Sequence, residues 1–274
     1  MKRPILILIT LYSITVADAQ QVKTDRMGSF FGYWGYNRSA YSKSDIHFTG
    51  KDHDFILFDV NAKDRQTPFT KEYFDISKLT IPQYNFRIGV FITNHISISI
   101  GNDHMKYVMV QDQMVTIKGN IDKEISTKYQ GNYNNRNIKI TEDFLRLEHT
   151  DGLNYQPLEI DYNANIFYLF NEKIQLDAAG GLGIGTLVPR SDVTLMGGER
   201  HDEFHLAGYG LSARVGFRLY FFKYFFFMID AKGGMIHLTD IKTSYNSTYK
   251  AQQRFFFGEH YGAGGIIIPI KRNS

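Results

Sequence analysis

The strongest constraint in this sequence is an alternation of apolar and polar residues with a period of two, repeated in segment after segment. Across residues 158–170 the even positions are Leu158, Ile160, Tyr162, Ala164, Ile166, Tyr168 and Phe170, while Glu159, Asp161, Asn163 and Asn165 fall between them. A β-strand turns successive side chains to opposite faces, whereas a helix would space its apolar residues three and four apart. Residues 174–186 set Ile174, Leu176, Ala178, Leu182 and Ile184 against Gln175, Asp177, Gly181, Gly183 and Gly185. Residues 209–221 set Leu211, Ala213, Val215, Phe217 and Leu219 against Ser212, Arg214, Gly216 and Arg218. The same pattern runs through 84–93, with Arg87 on the polar face, and through 224–241, with Asp230 and Lys232 there. It starts cleanly at Ile96, Ile98 and Ile100 and loses register at Gly101-Asn102, the signature of a bulge. Residues 28–39 and 253–268 alternate less cleanly but are aromatic and glycine-rich.

Both a soluble sandwich and a membrane barrel alternate, and composition separates them. The chain has 22 Phe, 18 Tyr, 24 Gly and no Cys in 274 residues, and its mean hydropathy is −0.28. Disorder, a disulfide scaffold, a Cys-based zinc module and a helical membrane protein are excluded. A net charge of +3 with no focused basic patch gives no basis for a nucleic-acid partner. A water-exposed sheet face gains nothing from glycine, which weakens strands. The lumen of a narrow barrel, where side chains converge, needs both small residues and opposed charges. The segments also match the roughly 9–11 residues of a strand crossing the hydrocarbon. The expected fold is therefore all-β: an antiparallel transmembrane β-barrel with long extracellular loops.

Residues 1–19 read as a secretory signal peptide: Lys2 and Arg3, an apolar stretch over 5–16, and Ala17-Asp18-Ala19 before Gln20. Residues 20–274 are then the barrel domain. Tight connections at Asn94-His95, Asn171-Glu172 and Phe222-Lys223 alternate with long ones over 40–83, 111–157, 188–205 and 242–252. Short periplasmic turns and long external loops are the mark of outer-membrane barrels. Eight membrane strands follow, at about 28–39, 84–93, 96–110, 158–170, 174–188, 206–222, 224–241 and 253–268. The count becomes ten if alternating stretches inside the two longest loops join the sheet.

An eight-stranded barrel is just wide enough for side chains to fill. The alternation points Arg87, Arg214, Arg218 and Lys232 inward, facing Glu159, Asp161, Asp177 and Asp230, with Asp103 and Glu259 as further candidates. Isolated buried ions are too costly, so these charges are expected to pair into a plug. At the outer rim, His104, Asp103, Ser39, His149 and Glu148 are the residues that acid–base or acyl-transfer chemistry would use. His47, His53 and His201 also sit among carboxylates, but no spacing matches a metal-ligand motif, so neither a metal nor a cofactor is expected. His95-Ile96-Ser97 has the His-x-Ser form of a lipid A deacylase motif but falls at a periplasmic turn. The glycine run 180–185 lacks the following helix that phosphate binding needs.

The chain resembles small outer-membrane β-barrel proteins of the Bacteroidota type. The residues that carry this are Trp34-Gly35-Tyr36-Asn37-Arg38, Asp103-His104-Met105-Lys106-Tyr107 and the run from Glu148 to Tyr155. The resemblance implies a bacterial outer-membrane location and contact with outer-membrane lipids, lipopolysaccharide included. It transfers no chemistry. The expectation is a non-enzymatic barrel that displays its external loops for a protein partner or for envelope structure. The alternative is a lipid A-modifying enzyme, by acyl transfer or deacylation, with its site at the outer rim.

Overall fold

The computed structural model describes residues 25–269. The expected leader at 1–19 lies outside them. The first strands are β1 (Phe30–Tyr41), β2 (Ser44–Thr49), β3 (His53–Val60), β4 (Ala62–Lys63), β5 (Tyr84–Phe91) and β6 (Ile96–His104). Next come β7 (Tyr107–Met109), β8 (Met114–Ile121), β9 (Gly131–Lys139), β10 (Leu145–His149) and β11 (Tyr155–Leu169). The last are β12 (Ile174–Leu187), β13 (Arg190–Leu195), β14 (His201–Phe204), β15 (Gly208–Phe221), β16 (Phe225–Lys242) and β17 (Lys250–Ile268). Single 3-10 turns at Lys71–Tyr73 and Ile76–Lys78 precede β5.

The larger sheet has 12 strands, and β2, β3, β8 and β9 stand outside its ring. That leaves eight, in the order β1-β5-β6-β11-β12-β15-β16-β17, closed by pairing of β1 with β17 from Phe30↔Ile268 to Tyr41↔Phe257. All pairs are antiparallel, and closure removes the open edges that a sheet in hydrocarbon cannot leave unpaired. The β15–β16 hairpin turns at Phe222 and Lys223 with φ of 53° and 68°, and the Tyr224 amide donates to the Phe221 carbonyl at 3.1 Å. This is the primed turn whose twist matches that of the flanking strands. Residues 96–110, read from sequence as one strand, break at Met105-Lys106 into β6 and β7, and β7 leaves the barrel.

The outward wall is apolar and exposed: Leu182 is 65% exposed, Val215 65% and Ile229 72%. The inward wall is crowded. A Cβ on Gly181 would collide with the Asp161 carboxylate, and one on Gly216 with that of Asp230, so glycine is what lets these acids fold back over neighbouring strands. On β17 three glycines depart from this pattern: Gly258, Gly262 and Gly264 face outward, into open space or loose contact.

Beyond the ring the chain builds a cap. Past Phe257, β17 exchanges its partner β1 for β2, pairing Gln253↔Ile46 to Lys250↔Thr49. The Ser42 amide donates to the Phe256 carbonyl at 2.9 Å and bridges the exchange. β2, β3, β8 and β9 extend the barrel sheet upward, and β14-β13-β10-β7-β4 form a second sheet. Between them lies an apolar core that includes Phe48, Phe55, Leu57, Tyr107, Phe144, Leu147, Val193 and Phe255. Each such fully buried side chain contributes about 1.5–3 kcal/mol. The long external connections thus fold around a core of their own.

Candidate functional site: a filled lumen beneath a folded cap

Three layers occupy the interior. The lowest, at the end of the tight turns, is aromatic: Phe31, Tyr33, Phe91, Tyr220, Phe226 and Tyr261. Arg26 enters this layer from the N-terminal segment. Its guanidinium lies 4.3 Å from the centre of the Tyr220 ring and 2.6 Å from Asp177, and the Asn94 side chain holds its backbone amide at 2.9 Å. A cation over an aromatic face in a desolvated site gains roughly 2 kcal/mol.

The middle layer holds the charges. Arg87 lies 2.8 Å from Asp103 and 2.9 Å from Glu159. Lys232 lies 2.6 Å from Asp103 and 2.5 Å from Glu159, so two cations share two carboxylates in a closed square. Arg214 pairs with Asp161 at 2.5 Å and with Asp230, and it lies 3.6 Å from Glu159. Arg218 donates to Asn163 and lies 3.9 Å from Asp161. The structure therefore places Arg87, Glu159, Asp161, Asp177, Arg214, Arg218, Asp230 and Lys232 inside the ring, all buried. Sequence reading missed Arg26 and Asn85. Asn85 donates to Asp103 at 2.6 Å and also to Glu259. Its only signal was an inward position two residues before Arg87.

Above this, Tyr155 and Phe257 begin the apolar core of the cap. The Tyr155 ring faces Lys232, 5.8 Å away, and its hydroxyl lies 3.2 Å from that of Ser212.

The rim candidates do not converge. Asp103 points into the lumen, while His104 stacks on Tyr84 at 4.9 Å and bonds the Asn154 side-chain oxygen at 3.1 Å. His149 is buried in the cap beside Tyr107, with no hydrogen-bond partner on either ring nitrogen. Burial alone pushes its pKa down to about 3, so its ring is neutral. Glu148, next to it, faces the other way and pairs with Arg65 at 3.0 Å and Arg146 at 2.7 Å. The Ser39 hydroxyl is buried without a partner. Consecutive residues on a strand face opposite sides, which is why the Asp-His and Glu-His neighbours separate. His47 pairs with Asp54, His53 lies against Tyr249, and His201 lies against Tyr245. No group of three metal-ligating side chains forms among the described residues.

On the outer face of the second sheet, Glu148, Asp192 and Asp202 stand opposite one another across three strands. Arg146, Arg190 and Arg200 bridge this acidic row at 2.7–3.2 Å. The result is a fixed, charged outer surface.

No family model and no curated protein matches the chain. Among solved structures it is similar to the outer membrane protein OprG from Pseudomonas aeruginosa, at 9% identity, covering 90% of this chain and 98% of that one with a TM-score of 0.45. It is also similar to Neisserial surface protein A, at 10% identity, covering 87% and 98% with a TM-score of 0.36. A third is Ail, the attachment invasion locus protein of Yersinia pestis, at 10% identity, covering 86% and 99% with a TM-score of 0.27. The barrel assignment here rests on the closed strand order of this chain itself.

Proposed function

We propose that this chain is an integral protein of the bacterial outer membrane whose lumen does not conduct and whose barrel anchors a rigid external cap. The observation that carries this is the filling of the interior by aromatic, ionic and apolar layers in succession, inside a wall whose outward side is apolar. Such a wall is unstable in water and at home in lipid. The cap is the part left to meet other molecules, through its charged sheet and the exposed strand β9. The alternative of a lipid A-modifying enzyme has no support in the geometry, because Asp103, His104, Ser39, His149 and Glu148 do not assemble.

The chain has no cysteine, so single cysteine substitutions report orientation without background. Asn134→Cys on exposed β9 is expected to react with a membrane-impermeant maleimide on intact cells. Lys223→Cys, at the tight β15–β16 turn, is expected to react only after lysis. Labelling of Lys223→Cys on intact cells, with Asn134→Cys protected, would reverse the assignment.

A further inference from the structure

Glu259 and Asp64 are carboxylates without an ion pair among the described residues, and one circuit of contacts joins them. Glu259, on β17, is buried inside the ring, while Asp64 is half-buried on the connection that follows β4. The Asn85 side chain donates to Glu259, and its oxygen accepts from Asn37 at 2.8 Å. The Asn37 oxygen in turn accepts from Gln83 at 3.4 Å, and the same Gln83 amide donates to Asp64 at 2.6 Å. The Ser39 backbone amide donates to the other Asp64 oxygen at 3.1 Å. Ser39 closes the circuit, because it stands directly opposite Glu259 in the register of β1 with β17. Both side chains face inward, which sets their Cβ atoms roughly 5 Å apart. Tyr41, two residues on, feels the charge of both carboxylates.

Three oxygens of this circuit are buried without a hydrogen-bond partner: Ser39 Oγ, Gln83 Oε1 and Glu259 Oε2. The cations nearby are held elsewhere. Arg38 donates to the Asn37 carbonyl at 2.7 Å and the Tyr73 hydroxyl at 2.8 Å. Lys106 donates to the Ile81 carbonyl at 2.8 Å, and Lys232 lies between Asp103 and Glu159. Burial holds the Asp64 carboxyl above its ordinary range, against the hydrogen bonds from Ser39 and Gln83 and the charge of Arg38. A bridging water could donate to two of the free oxygens but would leave two negative charges uncompensated in a poorly solvated place. Every donor here is oxygen, the set that hard cations take, with no sulfur or imidazole for a softer metal. Side chains from separate strands and a loop make an irregular cage, which suits the flexible shell of calcium better than the strict octahedron of magnesium.

We propose that this circuit binds one calcium ion at the outer end of the lumen. Glu259 and Asp64 supply the charge, Ser39 Oγ and Gln83 Oε1 are neutral ligands, and water completes the shell. With only two carboxylates the site is not a cluster of three acidic or histidine ligands, and its amide and hydroxyl oxygens make up the difference. Half-buried Asp64 forms the mouth. Because Asp64 follows a cap strand and Glu259 belongs to the barrel, the ion ties the cap to the ring.

The test is titration calorimetry of the full-length protein, purified in detergent and delipidated so that no lipid phosphate competes for the metal. Calcium chloride alone is expected to bind at one site per chain, with a Kd of roughly 0.1–1 mM, the range of external sites with few charged ligands. Magnesium is expected to bind about tenfold more weakly or not at all. Glu259→Gln and Asp64→Asn should each weaken calcium binding about tenfold or more, since each removes half of the site's charge. Ser39→Ala, a milder change, should weaken it severalfold. Asp112→Asn, at an exposed acid of the cap that pairs with Lys139, should leave it unchanged. Denaturant unfolding in chelator shows that each variant is folded, and added calcium should raise the midpoint of wild type but not of Glu259→Gln. No calcium heat from wild type would overturn the proposal, as would binding that survives both carboxylate substitutions. Equal affinity for magnesium would overturn the calcium assignment.

Discussion

Lys232 carries an ammonium with no exposed surface, 2.6 Å from Asp103 and 2.5 Å from Glu159. Burying such a charge is tolerable only because the carboxylates come with it. The lumen residues Arg26, Arg87, Arg214, Arg218 and Lys232 supply five positive charges, against six carboxyl groups on Asp103, Glu159, Asp161, Asp177, Asp230 and Glu259. Glu259 is the one of the six without a cation in ion-pair distance, and its bond comes from Asn85. The two glutamates therefore predict opposite outcomes. Glu159→Gln strips a shared partner from Arg87 and Lys232 and should destabilise the protein by roughly 3 kcal/mol. Glu259→Gln should be nearly neutral, with denaturant unfolding in detergent as the measurement. His149 offers a second test. Its folded-state pKa of about 3 lies below the ordinary 6.5 because of burial, so the unfolded chain binds the proton more readily. Stability is complete above about pH 6.5 and falls as the pH drops toward 3, by at most about 1.4 kcal/mol per pH unit. His149→Phe should flatten the acid limb of the unfolding curve by one proton relative to wild type; identical limbs would refute the buried neutral ring.

At the scale of elements, what sequence could reveal depended on how sharply the two faces of a strand differ. β11, β12 and β15 set aliphatic and aromatic residues against charges and glycines, so their span and inward faces were legible. β17 was harder, because its outward face carries Gly258, His260, Gly262 and Gly264 while its inward face carries Phe257, Tyr261 and Ala263. Apolarity there is higher inside than outside, the reverse of β11, β12 and β15. β9 was invisible for a different reason: Asn132, Asn134, Asn135 and Asn137 make it polar on both faces. The second sheet was missed because β4, β7 and β14 are short and pair with strands far away in sequence. The rim candidates were legible as residue types but not as neighbours. Whether His149 meets Glu148 or turns into a core depends on which sheet β10 joins.

For the whole molecule, the proposed reading takes the three interior layers as one continuous obstruction. The aromatic layer around Arg26 closes the turn end, the ion pairs fill the middle, and the core of the cap covers the far end. An eight-stranded ring has no width left over once its inward side chains are placed. On that proposal, function lies on the surface, in the cap. The most direct test of that claim is single-channel recording of the purified protein in planar bilayers. The proposed sealed lumen predicts traces indistinguishable from protein-free membranes, apart from brief leak events. Large, persistent, stepwise currents would contradict it.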